Sequence, residues 1–326
     1  MILAGDVGGT KTLLGVFDPE PARPRLVGET RSYPTNDFPS FTAILDAFER
    51  DRPDAVSPAA VAIGVAGPVI EGRARLTNID WDIDVSVIAT RAGTPRVALL
   101  NDLEATATSV PVLAPDELES LQAGTPLDGG NAVVIAAGTG LGQAYLHRVH
   151  NQLHPVASEG GHADFAARTD RELELVRMLR ERYGRAEVEQ VLSGPGLLNL
   201  HRFTHRGAGC PVVDDLDAED APAGVSQGAM SGRCQFCVEA LRMFVEAYGA
   251  ETGNLALRGV ATAGVYIGGG IAPKILPALR DGTFMRAFLA KEPMRELLTR
   301  VPVHVILNSD AGLIGAAARA RAILRS

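Results

Sequence analysis

The sequence predicts a duplicated α/β fold in which two domains enclose a central cleft. Residues 2–17 and residues 131–149 each contain two apolar runs of strand length joined by a glycine-rich turn, and each hairpin precedes alternating strand and helix patterns. A third glycine cluster, Gly268-Gly269-Gly270, lies between a buried strand and a helix. Repetition of this order within 326 residues is typical of two α/β domains.

The first half begins with a strand at residues 2–5, a tight turn and a second strand at residues 11–17. Apolar residues from Phe41 to Phe48 recur at helical spacing and predict an amphipathic helix over residues 39–50. The other predicted elements are strands at residues 25–33, 59–65 and 96–100, a short helix after Asp84 and a helix that begins at Asp102.

The second half repeats this order, with strands at residues 131–136 and 143–149 on either side of a glycine turn. Residues 214–222 are acidic, contain proline and are predicted to form a surface loop. The other predicted elements are helices at residues 170–183 and 235–258, a strand at residues 260–267, a helix opened by Pro273, a strand at residues 301–307 and a helix at residues 311–324.

Composition and charge exclude several classes of protein. The chain has 31 Lys and Arg against 39 Asp and Glu, a net charge of −8, whereas nucleic-acid binders present basic surfaces. No apolar run reaches the length of about 18 residues that a membrane helix needs, and the first residues do not form a signal peptide. Three cysteines are too few for a disulfide framework, which indicates a reducing cytoplasm.

The first glycine-rich turn is a candidate phosphate site. Its sequence nearly matches the P-loop, but Thr10 stands where that motif has glycine, and a strand follows instead of a helix. Glycines between strands leave N–H groups open to phosphate oxygens, and Asp6 is placed to hold Mg²⁺ through water. The alternative is an ordinary hairpin turn. The candidate ATP-binding residues here are Gly5, Asp6, Val7, Gly8, Gly9 and Thr10.

Two further glycine turns strengthen the phosphate hypothesis. Gly138, Thr139 and Gly140 occupy the equivalent place in the second half, so that two hairpin loops are expected to grip a triphosphate from both sides. Gly268, Gly269 and Gly270 follow a buried strand, where a flat adenine can approach the backbone closely. Close packing of a helix on the sheet is the alternative role of this third cluster. Three such turns in this order favour a nucleotide site.

A set of polar side chains fits the recognition of a sugar. Carboxylates accept hydrogen bonds from neighbouring hydroxyls, while an asparagine amide both donates and accepts. Asp102 follows a strand end and is the candidate general base that takes the hydroxyl proton during phosphoryl transfer. Its alternative role is the N-cap of the following helix. The candidate sugar ligands are Asn101, Asp102, Glu159, His162 and Glu189.

Two of these residues have other interpretations. Glu159 and His162 have the spacing of di-iron ligands on a helix, but Gly160-Gly161 disfavours a helix and the sequence has no second copy of the motif. Glu189 is predicted to lie on a short helix before the Leu-Ser-Gly-Pro-Gly turn. A solvated surface charge is the alternative for Glu189.

Zinc is a further alternative for the cysteines. Cys234 and Cys237, with His201, His205 and Cys210 upstream, supply enough ligands. However, Cys234 and Cys237 are three residues apart near a helix start, which is typical of one buried face. The sequence therefore favours structural cysteines over a zinc site.

The three glycine turns resemble the two phosphate loops and the adenosine loop of the sugar kinase/actin/Hsp70 superfamily. Within it, residues 100–102, 159–165 and 191–197 are similar to motifs of the bacterial glucokinase family, and the similarity runs in order from residue 2 to residue 315. The related repressor/ORF/kinase group carries a cysteine cluster after its Glu-x-x-Gly-His motif. Residues 163–169 here contain no cysteine.

The resemblance implies an actin-like ATPase fold of the ribonuclease H-like type and phosphorylation of glucose at O6 from ATP with Mg²⁺. It also implies a cytoplasmic homodimer. The last helix is expected to return to the first domain, which gives a small domain of residues 1–110 plus 312–326 and a large domain of residues 111–311. The resemblance also implies that the candidate sugar ligands bind glucose and that the residues of the three glycine turns bind ATP.

Several rival functions remain open at this point. One alternative is a kinase for another hexose, such as mannose or fructose, or a glucokinase that uses polyphosphate as the phosphoryl donor. A sugar-sensing regulator needs a DNA-binding helix-turn-helix before the first phosphate loop, and the first strand starts at residue 2. An actin-like ATPase would have the nucleotide loops but no use for the Glu159 to His162 motif.

Overall fold

The computed structural model describes residues 1–52, 57–76 and 79–325. The chain divides into two compact units. Residues 1–117, 153–157 and those from 308 onward form the first unit, and residues 118–152 and 158–307 form the second. Among the described residues, no helix has the length and apolar character needed to cross a membrane.

The first unit is built on a sheet with the order β3-β2-β1-β5-β9, in which β4 also pairs with β2. The β1–β2 hairpin is antiparallel, whereas β5 is parallel to both β1 and β9. Its elements are β1 (Ile2–Val7), β2 (Lys11–Asp18), β3 (Arg25–Leu26), β4 (Arg31–Pro34), α1 (Phe41–Asp51), β5 (Val61–Val65), β6 (Val69–Ile70), β7 (Arg73–Arg75), β8 (Asp82–Asp84), α2 (Val85–Ala92), β9 (Val97–Asn101) and α3 (Asp102–Ser109).

The second unit repeats this arrangement. An antiparallel β11–β12 hairpin is followed in the sheet by the parallel strands β14 and β15, with β10 antiparallel at the edge. The other elements of the second unit are β10 (Leu118–Gln122), β11 (Ala132–Ala137), β12 (Leu141–Val149), α4 (Asp170–Tyr183), α5 (Gly194–His205), α6 (Ala221–Met230), α7 (Gln235–Gly259), β14 (Gly264–Gly268), α8 (Leu276–Arg280), α9 (Thr283–Leu289), α10 (Arg295–Thr299) and β15 (Val303–Ile306). The strand β13 (Gln152–Ser158) is the last in the order of this sheet, although its residues 153–157 are grouped with the first unit, and the last helix, α11 (Ala311–Arg325), belongs to the first unit.

Helices cover both faces of the first sheet. Phe41, Ile44 and Phe48 of α1 belong to the buried cluster on one face. Leu313 and Ala316 of α11 belong to the cluster on the other face. The second unit has its own larger core around the long helix α7. The predicted duplicated α/β fold is confirmed, because each unit carries a hairpin followed by two parallel strands.

Three predicted elements are wrong in extent or type. The strand predicted over residues 25–33 is two short strands, because Gly28 adopts a φ of 75° that interrupts extended backbone. The strand predicted from residue 260 begins only at Gly264, because Val260 is the left-handed C-cap of α7. Pro273 opens a single 3₁₀ turn, which the short helix α8 follows.

Several elements give little signal in the sequence. The small sheet β6-β7-β8 consists of strands of two or three residues, which are too short to show a period. Helices α5 and α6 each have proline in the first turn and contain glycine, so their apolar pattern is weak. The acidic loop predicted over residues 214–222 is shorter than predicted, because α6 begins at Ala221.

Candidate active site

The parallel strands of the first unit bring the predicted catalytic residues to one sheet edge. Val7, Val65 and Asn101 are paired in register at the carboxyl ends of β1, β5 and β9. Asp102 follows immediately as the first residue of α3, and its side chain is exposed. Ligands of open α/β sheets bind at this kind of edge.

Asn101, and not Asp102, is the N-cap of α3. The N–H groups of Leu103 and Glu104 donate to Asn101 Oδ1 at 2.9 and 3.3 Å, and Asn101 Nδ2 donates to the Gly67 carbonyl at 3.3 Å. The Leu103 N–H is also 2.7 Å from Asp102 Oδ1. The alternative that Asp102 caps the helix is therefore wrong, because the capping position belongs to the residue before it.

Asp6 lies in β1 behind this edge, between β5 and the first turn of α11. A Cβ on Gly312 would stand 2.7 Å from Asp6 Oδ2. Burial raises the pKa of Asp6 from 3.8 to about 6, with further increases from Asp102 and Asp310 and a decrease from Lys11. Three carboxylates are thus close enough to repel one another, which is typical of a site that binds a cation.

The first glycine turn is fixed from outside by Thr35. The Thr35 N–H donates to the Thr10 carbonyl at 2.9 Å, and its hydroxyl donates to the Gly8 carbonyl at 2.9 Å. The hydroxyl of buried Thr12 lies 3.0 Å from that of Thr35. Within residues 1–52, 57–76 and 79–325, the N–H groups of Gly9 and Thr10 have no hydrogen-bond acceptor. They are available to an anionic ligand.

The second and third glycine turns lie side by side in the second unit. The Gly138 N–H donates to the Gly140 carbonyl at 2.8 Å, and the Gly194 N–H at the start of α5 donates to the Gly138 carbonyl at 2.8 Å. Gly269 has a φ of 83°, and a Cβ there would overlap the Ala137 carbonyl. A Cβ on Gly270 would meet no described atom within 4 Å, which leaves a face open to a ligand.

The Glu159 to His162 segment packs against the second glycine turn. It forms one 3₁₀ turn, in which a Cβ on Gly161 would overlap the Leu141 carbonyl. The Glu189 N–H donates to the Gly161 carbonyl at 2.9 Å, and Glu189 Oε2 accepts the Leu141 N–H at 2.8 Å. The prediction of a short helix at Glu189 is wrong: this residue lies in a turn and is half-buried, so it is not a solvated surface charge.

His162 has a carboxylate partner that the sequence did not reveal. Its Nδ1 lies 3.1 Å from Glu187 Oε2, and Arg185 donates to the His162 carbonyl. When Nδ1 donates to a carboxylate, Nε2 of a neutral ring is left as a hydrogen-bond acceptor. No sequence motif marks Glu187, because the pair is 25 residues apart and is formed by the turn after α4.

The predicted residues therefore form two groups. The first unit holds the first glycine turn with Asp6, Asn101 and Asp102. The second unit holds both other glycine turns with Glu159, His162 and Glu189. Each group is assembled by contacts within its own unit.

Comparison with known proteins agrees with this chemistry. The family model described as Glucokinase matches residues 3–323. The chain belongs to the glucokinase family. It is 36% identical to a glucokinase of a Nostoc species over 334 aligned residues, which cover 97% of this chain and 98% of the relative. The enzyme activity is ATP-dependent phosphorylation of glucose.

Solved glucokinase structures share the fold. The structure of a glucokinase from an Antarctic psychrotroph has a TM-score of 0.87 and 31% identity, with 98% of each chain covered. The ROK family glucokinase of Streptomyces griseus, solved with glucose and AMPPNP, has a TM-score of 0.66 at 24% identity and covers 98% of this chain and 99% of its own. This second likeness shows the fold. Together these structures support the actin-like architecture with two domains.

Proposed function

We propose that Asp102 is the general base of this glucokinase and that O6 of glucose is the attacking atom. The observation that carries the proposal is the position of Asp102, exposed at the carboxyl edge of the first sheet with Asn101 fixed beside it as a cap. The Asp102 carboxylate accepts the proton of the 6-hydroxyl while O6 forms its bond to the γ-phosphorus. The bond between that phosphorus and the β–γ bridging oxygen breaks, and ADP leaves.

Glucose is recognised by Asn101, Asp102, Glu159, His162 and Glu189. Asn101 uses Oδ1 for the cap, so its amide N–H₂ is the group that donates to a sugar hydroxyl. His162 accepts from a hydroxyl at Nε2, because Glu187 holds Nδ1. Glu189 Oε2 accepts the Leu141 N–H, which leaves Oε1 as the oxygen for the sugar. Glu159 is exposed and accepts from ring hydroxyls.

ATP is held by backbone groups of the three glycine turns. The N–H groups of Gly9 and Thr10 bind phosphate oxygens, and so do those of Thr139 and Gly140. The open face of Gly270 receives the adenosine. The absence of a side chain at Gly9, Gly140 and Gly270 allows the nucleotide to approach the backbone there.

Mg²⁺ fits the carboxylates of the first unit. Asp6 lies near Asp102 and Asp310, and burial together with these two negative charges raises its pKa, while Lys11 lowers it. Asp6 would hold the ion through water, as Mg²⁺ keeps much of its hydration shell. When bound, Mg²⁺ neutralises charge on the β- and γ-phosphates.

Three broader features belong to the same proposal. The functional domains comprise residues 1–110 with 312–326, and residues 111–311. The enzyme acts as a homodimer in the cytoplasm, where its three free cysteines stay reduced. Light scattering during size-exclusion chromatography tests the dimer.

A coupled assay of ADP release tests the substrate assignment. Glucose, mannose and fructose are compared with ATP, and formation of glucose 6-phosphate is followed with ATP or polyphosphate as the donor. We expect the highest kcat/KM for glucose with ATP. A higher kcat/KM for another hexose, or a higher rate with polyphosphate than with ATP, would contradict the assignment of glucose and ATP as substrates.

A further inference from the structure

The second unit contains a cluster of nitrogen and sulfur ligands away from the residues proposed for catalysis. His201 and His205 lie one turn apart on α5, Cys210 follows this helix, and Cys237 lies in the first turn of α7. One ligand atom from each of these four residues lies within 4.8 Å of the other three. Cys234, the N-cap of α7, completes the cluster with its Sγ 3.3 Å from His205 Nε2.

The distances fit tetrahedral coordination. The sulfur atoms of Cys210 and Cys237 are 3.7 Å apart. Zinc bonds to sulfur of about 2.3 Å at a tetrahedral angle place two sulfurs about 3.8 Å apart. The histidine rings are stacked with centroids 3.6 Å apart, and one nitrogen of each ring lies within 4.8 Å of both sulfur atoms.

Each histidine shows a feature expected of a metal ligand. His205 Nδ1 is 2.8 Å from the His201 carbonyl, which assigns the proton to Nδ1 and leaves a lone pair on Nε2, 3.3 Å from Cys234 Sγ. Such a hydrogen bond from the second ring nitrogen to a carbonyl is typical of metal-bound histidine. His201 is 4% exposed, and neither ring nitrogen has a hydrogen-bond partner in the described part of the chain. A bound cation would satisfy one of these buried nitrogens.

We propose that His201, His205, Cys210 and Cys237 bind one structural zinc ion. The ligand types form a Cys₂His₂ set, which is one of the sets found in structural zinc sites, and three of the four ligands are buried while Cys210 is half-buried. The site is distinct from the cysteine cluster of the repressor/ORF/kinase group, because residues 163–169 contribute none of its ligands. This proposal differs from the expectation of structural cysteines that the sequence favours.

The zinc site would stabilise α5, the helix whose N-terminus is hydrogen-bonded to the second glycine turn. Zinc would join α5, the segment after it and α7, and the N-terminus of α5 carries the Gly194 N–H that bonds to Gly138. We therefore expect removal of zinc to lower Tm by at least about 5 °C. Because the ligands do not touch the proposed substrate groups, kcat at temperatures well below Tm should change by less than about threefold.

Metal analysis of the full-length enzyme, purified without chelators, tests the proposal. We expect about one zinc ion per wild-type chain and less than about a tenth of that in Cys237→Ser. His154→Ala removes an exposed histidine outside the cluster and should keep the zinc. If Cys237→Ser does not fold, cobalt(II) is added to metal-free wild-type enzyme, in which a thiolate-to-cobalt charge-transfer band and intense tetrahedral ligand-field bands are expected.

Two results would overturn the proposal. The first is wild-type enzyme that takes up neither added zinc nor cobalt while all three thiols remain reactive to a titrant. The second is a Cys210–Cys237 disulfide in enzyme kept under reducing conditions, shown by a mass two hydrogens lower and a single titratable thiol. Loss of zinc from His154→Ala would also count against this cluster.

Discussion

Gly312 leaves the space that the carboxylate of Asp6 occupies, since a Cβ at residue 312 would stand 2.7 Å from Asp6 Oδ2. Gly312 lies in the first turn of α11, where the partial positive charge of a helix N-terminus favours a carboxylate. The last helix of the chain thus helps to position a residue of the first strand.

We expect Gly312→Ala to displace Asp6 and to reduce kcat/KM for Mg-ATP by about 10- to 100-fold, which corresponds to about 1.4–2.7 kcal/mol of lost transition-state stabilisation. Steady-state kinetics at varied magnesium concentration measure this effect. Gly209→Ala is the control, because a Cβ there meets no described atom within 4 Å. Equal kinetics for Gly312→Ala and wild type would show that the position of Asp6 is unimportant.

The raised pKa of Asp6 predicts that removal of its charge stabilises the fold and lowers activity. The folded pKa is about 6 against 3.8, so the stabilising effect of protonated Asp6 is complete below about pH 3.8 and is lost as the pH rises through about 6. At pH 8 and without magnesium, Asp6→Asn should therefore stabilise the fold by about 3 kcal/mol while activity falls. Urea unfolding at pH 8 and pH 5 should show the larger gain at pH 8. A lower stability of Asp6→Asn at pH 8 would contradict this account.

Glu187 is expected to act as a positioning residue for His162. Glu187→Gln should raise KM for glucose by about tenfold and change kcat by less than about threefold, because it weakens the hold on the His162 tautomer without touching the reacting atoms. Glu181→Gln on α4, an exposed carboxylate, should leave KM unchanged. The prediction fails if both variants have the wild-type KM.

The parts of the fold that depend on short-range patterns can be predicted from the sequence. The helix predicted over residues 170–183 matches α4, because a Thr169 cap and a Gly184 C-cap mark both ends. The hairpins around the glycine turns are likewise local. Gly315 shows what local patterns omit: a Cβ there would overlap the Ala105 carbonyl, so α11 and α3 pack unusually closely.

Some residues of the candidate site can likewise be predicted from the sequence, and others are revealed only by the structure. Asn101 and Asp102 are visible in sequence as polar residues at a strand end, but only the structure shows which of them is the cap. Glu187 and the cluster of histidine and cysteine ligands depend on residues 25 or more positions apart. Such contacts follow from tertiary packing, and no local spacing rule encodes them.

The kinetics of Asp102→Asn test the central claim most directly. Glu104→Gln is the matched control, because it also removes a carboxylate from the first turn of α3. We expect Asp102→Asn to lower kcat by about 10²–10⁴-fold with KM for glucose within about tenfold of wild type, while Glu104→Gln stays within about threefold in both. A kcat of Asp102→Asn close to that of wild type would contradict the assignment of Asp102 as the general base.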